Sequence, residues 1–209
     1  NPDYLTDISW SPDSRYVYSQ TLDRAQKNMV LERWSADGQI SETVLYETNE
    51  KYVEPTDPLH FVKGWNDIFI YRTSNRDGYK NLYLCDNSGN VRRITEVDAD
   101  VAYIANDGKY VYYTAAEVSP VENHLFRIEI KNLKRGVMKA GFGKPQRLTT
   151  EEGWHNISMN PDCTYFTDSW SNLNTPRVAD LCSADGKTVT NLITAEDPTL
   201  DYAYTEICL

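Results

Sequence analysis

The chain has 209 residues, 40% apolar and 25% charged, with fifteen Tyr, five Trp and a formal net charge of −10. That acidity argues against a nucleic-acid partner, whose phosphates are held by Lys and Arg. It suits a cationic ligand such as a peptide amino terminus. No run approaches the roughly 20 apolar residues of a membrane span, and no basic start followed by an apolar stretch marks a signal peptide.

The abundant Tyr and Trp suit half-buried pleated surfaces and predict an all-β chain. The elements repeat in chain order. The first unit runs Asp7-Ile8-Ser9-Trp10, then Arg15-Tyr16-Val17-Tyr18, Met29-Val30-Leu31-Glu32-Arg33-Trp34 and Thr43-Val44-Leu45-Tyr46. Ser11-Pro12-Asp13 and Ala36-Asp37-Gly38 stand between its strands as turn formers, and the stretch from Leu22 to Lys27 reads as a loop. The second unit has Leu59-His60-Phe61-Val62, Asp67-Ile68-Phe69-Ile70-Tyr71-Arg72, Asn81-Leu82-Tyr83-Leu84-Cys85 and Val91-Arg92-Arg93-Ile94-Thr95. The third has Val101-Ala102-Tyr103-Ile104, Tyr110-Val111-Tyr112-Tyr113, His124-Leu125-Phe126-Arg127-Ile128 and Gln146-Arg147-Leu148-Thr149. The fourth has Asn156-Ile157-Ser158-Met159, Thr164-Tyr165-Phe166-Thr167, Arg177-Val178-Ala179-Asp180-Leu181-Cys182 and Leu192-Ile193-Thr194.

Four short strands recurring every 40 to 55 residues or about that is the period of β-propeller blades. The expected fold is therefore a β-propeller fragment of about four four-stranded antiparallel blades, forming one partial domain over residues 1–209. The blades fall near residues 5–52, 53–97, 98–153 and 154–200, with 201–209 alternating like the first strand of another. The third unit carries an insertion, Lys131 to Lys144, basic and Gly-rich, which reads as an exposed, mobile hairpin tip; the alternative is a binding loop for an acidic partner.

Four cysteines, Cys85, Cys163, Cys182 and Cys208, lack C-x-x-C spacing, so zinc is not expected. Cys85 and Cys182 sit in apolar strand patterns and read as small buried hydrophobes rather than disulfide partners. His60, His124 and His155 stand at strand starts, none at metal-ligand spacing. No G-x-S-x-G elbow occurs for a nucleophilic serine. The nearest candidate, Asp168-Ser169-Trp170-Ser171, lacks the glycines and reads as the end of a second strand. No Gly-rich phosphate loop is present. No catalytic residue, metal or cofactor is therefore expected in this chain. Glu151-Glu152 could clamp an amino group, but it follows Arg147-Leu148-Thr149 as Asp98 and Asp100 follow Arg93-Ile94-Thr95, the place of an interblade turn.

Three segments, Asp7-Ile8-Ser9-Trp10-Ser11-Pro12-Asp13-Ser14, Ser74-Asn75-Arg76-Asp77-Gly78-Tyr79-Lys80-Asn81-Leu82-Tyr83 and Asn123-His124-Leu125-Phe126-Arg127-Ile128, stand in an order that resembles the second half of the propeller of the dipeptidyl peptidase IV family, in the prolyl oligopeptidase group of serine peptidases. The stretch from Trp154 through Asp168 to Cys182-Ser183-Ala184-Asp185-Gly186 is similar to that family's last blade. The resemblance implies an eight-bladed propeller joined to an α/β-hydrolase domain that releases X-Pro or X-Ala dipeptides. It implies that this chain is the non-catalytic portion, gating and shaping the substrate cavity, in a periplasmic or secreted enzyme. The family's catalytic residues and its Glu pair for the substrate amino terminus lie outside this stretch, and Glu151-Glu152 does not occupy that place. One substrate-facing stretch is implied: Tyr52, Val53 and Glu54 stand where the link into a blade faces the cavity, without the Phe-Arg pair of mammalian members.

Two rival readings carry different chemistry. One is a stand-alone binding propeller of a periplasmic scaffold, and the other a glycan-processing propeller whose acidic residues converge on a channel. Open blade edges also invite association, so a homodimer is a further expectation.

Overall fold

The computed structural model describes residues 4–55 and 57–197. The described residues are all-β, with four antiparallel sheets and no α-helix. The expected strand at 201–209, Cys208 and the last residues of the fourth blade lie outside them.

The first blade follows the order β1 (Tyr4–Trp10), β2 (Tyr16–Leu22), β3 (Asn28–Ser35), β4 (Ser41–Thr48). Side-chain chemistry closes its turns. Ser11 Oγ donates to Asp13 at 2.7 Å and accepts the Tyr16 N–H at 3.0 Å. Ser35 and Asp37 repeat the device before Gly38, whose φ is 72°. Such local bonds favour turns over continued strand.

One face of this sheet carries Tyr18, Gln20, Leu22, Met29, Leu31, Leu45 and Glu47, all buried. The other face exposes Leu5, Ile8, Trp10, Trp34 and Tyr46. The second blade is β5 (His60–Phe61), β6 (Ile68–Thr73), β7 (Asn81–Asp86) and β8 (Val91–Arg93). Its continuous run Ile68-Phe69-Ile70-Tyr71 is buried on both faces, which is why it does not alternate. Between the two blades Tyr18, Phe61 and Phe69 pack edge to face, with centroids 5.2 to 6.0 Å apart, a preferred aromatic arrangement.

The polar run Ser19-Gln20-Thr21 hides the second half of β2 from sequence patterning. Strand pairing continues through Leu22, because buried Gln20 donates its side-chain amide to the Asp57 carbonyl at 3.1 Å. The loop then occupies only residues 23–27, held by Asp23, which accepts the Lys27 and Asn28 N–H groups.

The third blade is β9 (Val101–Asn106), β10 (Tyr110–Ala115) and β11 (His124–Lys131), with its outer strand split into β12 (Gly141–Phe142) and β13 (Gln146–Arg147), both paired to β11. The fourth is β14 (Trp154–Met159), β15 (Tyr165–Ser171), β16 (Val178–Ser183) and β17 (Thr188–Thr194). Residues 168–171 thus end a second strand, as their sequence indicated.

The chain divides into two compact units. Among the described residues, one holds the first two blades together with Ile130–Gly143; the other holds Ala102–Glu129 and residues 144–197. The second unit has its own core of Tyr112, Leu125, Leu148, Cys163, Phe166 and Cys182.

The insertion is not the mobile tip its composition suggested. Two 3-10 turns, Leu133–Arg135 and Val137–Lys139, bury Leu133, Val137 and Ala140. Arg92 of β8 donates to the Met138 carbonyl at 2.9 Å. Burying Leu133 and Val137 supplies about 1.5–3 kcal/mol each, which sets against the entropy of ordering a short loop. The three apolar residues are too widely spaced among Lys and Gly to announce a packed segment.

A backbone link recurs wherever one blade leads into the next. The Val53 N–H donates to Gln26 O at 2.7 Å, Val101 N–H to Lys80 O at 2.8 Å and His155 N–H to Asn123 O at 3.0 Å. In each case the entering residue is buried, and the acceptor lies just before the previous blade's third strand.

Candidate functional site

Tyr52, Val53 and Glu54 lie in the link between β4 and β5. Asn49 shapes the link, its side-chain oxygen accepting the Lys51 and Tyr52 N–H groups at 2.9 and 3.4 Å. This bend leaves Tyr52 45% exposed. Val53 corrects the expectation of a substrate-facing side chain: it is fully buried, packed with Tyr18, Leu59 and Phe69. Its apolar side chain and its N–H to Gln26 O make it the anchor between two outward neighbours.

Glu54 accepts from Ser74 Oγ at 3.1 Å and pairs with Lys80 Nζ at 3.2 Å. Beside it Arg72 pairs with Asp57 and donates to Val101 O at 2.9 Å. These groups, with Pro55 and Thr73, line a shallow, open depression too small to enclose a small molecule. Each cation there already has a carboxylate. The arrangement can offer the Tyr52 ring and one shared carboxylate to a passing chain, but no nucleophile.

The histidines fall in two settings. His60 starts β5, and burial pushes its imidazole below the usual range, against the pull of Asp57. His124 and His155 are both buried in the second unit, with ring centroids 5.0 Å apart. Glu122, Thr149 and Asp168 complete this group. It escaped sequence reasoning because its members are scattered over nearly fifty positions. The two strand-start histidines were its visible part, and Asp168 passed for an ordinary strand residue.

Cys85, Cys163 and Cys182 are all buried, and burial raises the pKa of Cys85 and Cys182, so these two pack as small hydrophobes. Among the described residues no set of three His, Cys, Asp or Glu is placed to hold a metal ion, and no helix is long and apolar enough to cross a membrane. Ser169 lies within the paired strand β15, without the sharp turn an activated serine needs.

The model of the dipeptidyl peptidase IV (DPP IV) N-terminal region matches residues 1–177. The chain belongs to that family. Two solved structures resemble this DPP IV N-terminal region. Porphyromonas gingivalis dipeptidyl peptidase 4 is 25% identical, with a TM-score of 0.78, over 91% of this chain and 26% of that one. A protein from Bacteroides ovatus assigned as a dipeptidyl aminopeptidase IV is 26% identical, with a TM-score of 0.77, over 95% of this chain and 30% of that one. The DPP IV region described here thus spans less than a third of either relative, and its four sheets are blades of a β-propeller fragment.

Proposed function

We propose that this chain is the non-catalytic propeller portion of a dipeptidyl peptidase IV-like serine exopeptidase, periplasmic or secreted, that releases X-Pro and X-Ala dipeptides. In this reading the propeller shapes and gates the substrate cavity, and the catalytic triad stands in an α/β-hydrolase domain outside the chain. The family match over residues 1–177 carries the reading. The exposed Tyr52 ring and the Glu54 carboxylate, set either side of buried Val53, touch the peptide beyond the scissile bond.

The test is kinetic, in the complete enzyme that contains this region. Tyr52→Ala and Glu54→Ala each lower kcat/KM for long peptides about three- to tenfold, the size of a contact worth roughly 1 kcal/mol. A dipeptide-anilide substrate, too short to reach the link, is cleaved as before. Unchanged kinetics on long peptides in both variants would remove the link from the substrate path. Absence of any X-Pro-releasing activity in the parent would remove the larger reading.

A further inference from the structure

Two buried imidazoles meet where the third blade gives way to the fourth. His124, the first residue of β11, and His155, the second of β14, are 0% and 1% exposed. Their rings lie 5.0 Å apart at 38°, and His155 also stacks on Trp170 at 5.9 Å. A polar ring buried this completely needs a partner for each nitrogen, and every one of the four is supplied.

The partners differ between the two rings. His155 Nδ1 faces the Asp168 carboxylate at 2.8 Å and Nε2 faces the Glu151 carbonyl at 2.8 Å. Each of its nitrogens thus faces an oxygen acceptor. His124 Nε2 donates to Glu122 at 2.8 Å. Its Nδ1 lies 3.0 Å from Thr149 Oγ1, which already accepts the Leu125 N–H at 3.1 Å. In the second blade the equivalent Thr95 accepts the Leu82 N–H at 3.0 Å and donates its own proton to Asn81 Oδ1 at 2.8 Å; with the Thr149 hydroxyl turned the same way, its proton lies on Nδ1 and His124 is the neutral tautomer protonated on Nε2.

We propose that the His124–His155 pair is a proton-sensitive latch between the third and fourth blades, closed while His124 is neutral and loosened when it takes a proton. A proton on Nδ1 turns the acceptor that Thr149 needs into a second donor, and it places a new positive charge against His155. Thr149 hangs the closing segment of the third blade on β11, where Leu148 N–H donates to Leu125 O at 2.8 Å. His155 carries the interblade link through its N–H to Asn123 O, and Asn123 Nδ2 returns a bond to His155 O at 2.8 Å. Loosening one ring therefore reaches both the blade's closure and the junction.

The charged groups around His124 are Glu122 on its own segment, Arg147 on β13, His155 on β14 and Asp168 on β15. Burial comes first in holding the imidazole below the usual histidine range; the Glu122 hydrogen bond opposes it, and Arg147 and His155 reinforce it. A base whose folded-state pKa is depressed binds fewer protons folded than unfolded. The stability it contributes is fully present above its unfolded value of about 6.5 and is lost as pH falls below that value.

Hydrogen exchange at the Leu125 and His155 amides, corrected for intrinsic rates, reads the latch directly. Between pH 7.5 and 5.5 their opening constants rise, by up to about tenfold per pH unit below pH 6.5, the limit for one proton. His124→Gln keeps a donor and an acceptor but takes no proton, and its opening constants stay flat. His60→Gln, in the other unit, keeps the wild-type response. An unchanged slope in His124→Gln, or wild-type amides indifferent to pH, overturns the proposal. Imidazole nitrogen resonances of the wild-type protein give a check that needs no variant. His124 is expected to have a bare Nδ1 at pH 7.5 and to gain its proton as amide protection falls; a ring protonated on both nitrogens at pH 7.5 overturns the latch.

Discussion

Glu47 lies on the buried face of β4 with 3% of its surface exposed, among Met29, Tyr71 and Leu45. Arg76 Nε donates to its carboxylate at 2.6 Å, Asn75 Nδ2 at 3.0 Å and Thr73 Oγ1 at 3.4 Å. A charge taken this far from water survives only with such partners. Arg76→Ala is expected to cost about 3 kcal/mol, because it leaves the carboxylate buried without a counter-charge. Adding Glu47→Gln should return part of that loss, since an amide needs no cation. Urea unfolding of the two variants checks this, and a higher stability for Arg76→Ala alone than for the double variant would contradict it. Neither this pair nor the His124–His155 group can be read from the sequence. Glu47 looks like one more polar position in an alternating strand, and its partner stands 29 residues away. Long-range pairing of charges follows from how blades stack, which local pattern does not encode.

At the level of turns and strands the sequence carries more. Pro-Asp, Asp-Gly and Ser-Gly marked the hairpins because serine and aspartate close them through their own side chains, and because a positive φ is cheap only for glycine. Two of those glycines have a second duty invisible in a dipeptide. A Cβ on Gly186, where φ is 89°, would stand 2.6 Å from the Leu148 carbonyl oxygen, and one on Gly89 would stand 3.0 Å from that of Val44. The glycine turn of one blade thus slips beneath the outer strand of the blade before it. Gly38, with the same φ sign, meets nothing within 4 Å. Gly38→Ala is therefore expected to lose about 1 kcal/mol, the cost of the left-handed backbone alone. Gly186→Ala should lose about 3 kcal/mol, since the backbone of a packed strand must also move. Thermal unfolding separates the two; equal losses would show that the approach to Leu148 imposes nothing. Where local pattern misleads, at Gln20 and in the insertion, the reason is a polar residue taken inside by the bond its amide nitrogen makes to the Asp57 carbonyl, or an apolar one diluted among charges.

The all-β composition and four repeated units carried over to the whole molecule, because the period sums many weak local signals. Less legible was the asymmetry of the first blade. Its outward face carries Leu5, Ile8, Trp10, Trp34 and Tyr46, each at least 40% exposed. Exposed apolar side chains gathered on one face favour association. Light scattering over rising concentration is expected to show self-association of this chain that Ile8→Thr with Trp10→Thr reduces. A monomeric mass for the unaltered chain at high concentration would rule out the homodimer.

The interblade link has a consequence for how such a chain can change. The bond that joins blade to blade runs from one main-chain N–H to one main-chain oxygen, and the residues supplying the N–H are Val53, Val101 and His155. That main-chain attachment is indifferent to side-chain identity, so a blade that is copied, lost or exchanged keeps a ready joint at its border, and only side-chain contacts such as Tyr18 with Phe61 and Phe69 must be fitted anew. Each junction is then free to acquire chemistry of its own, an apolar plug at Val53 and Val101, a pair of imidazoles at His155. Variation in blade number and novelty at blade borders become separate steps, open to mutation independently.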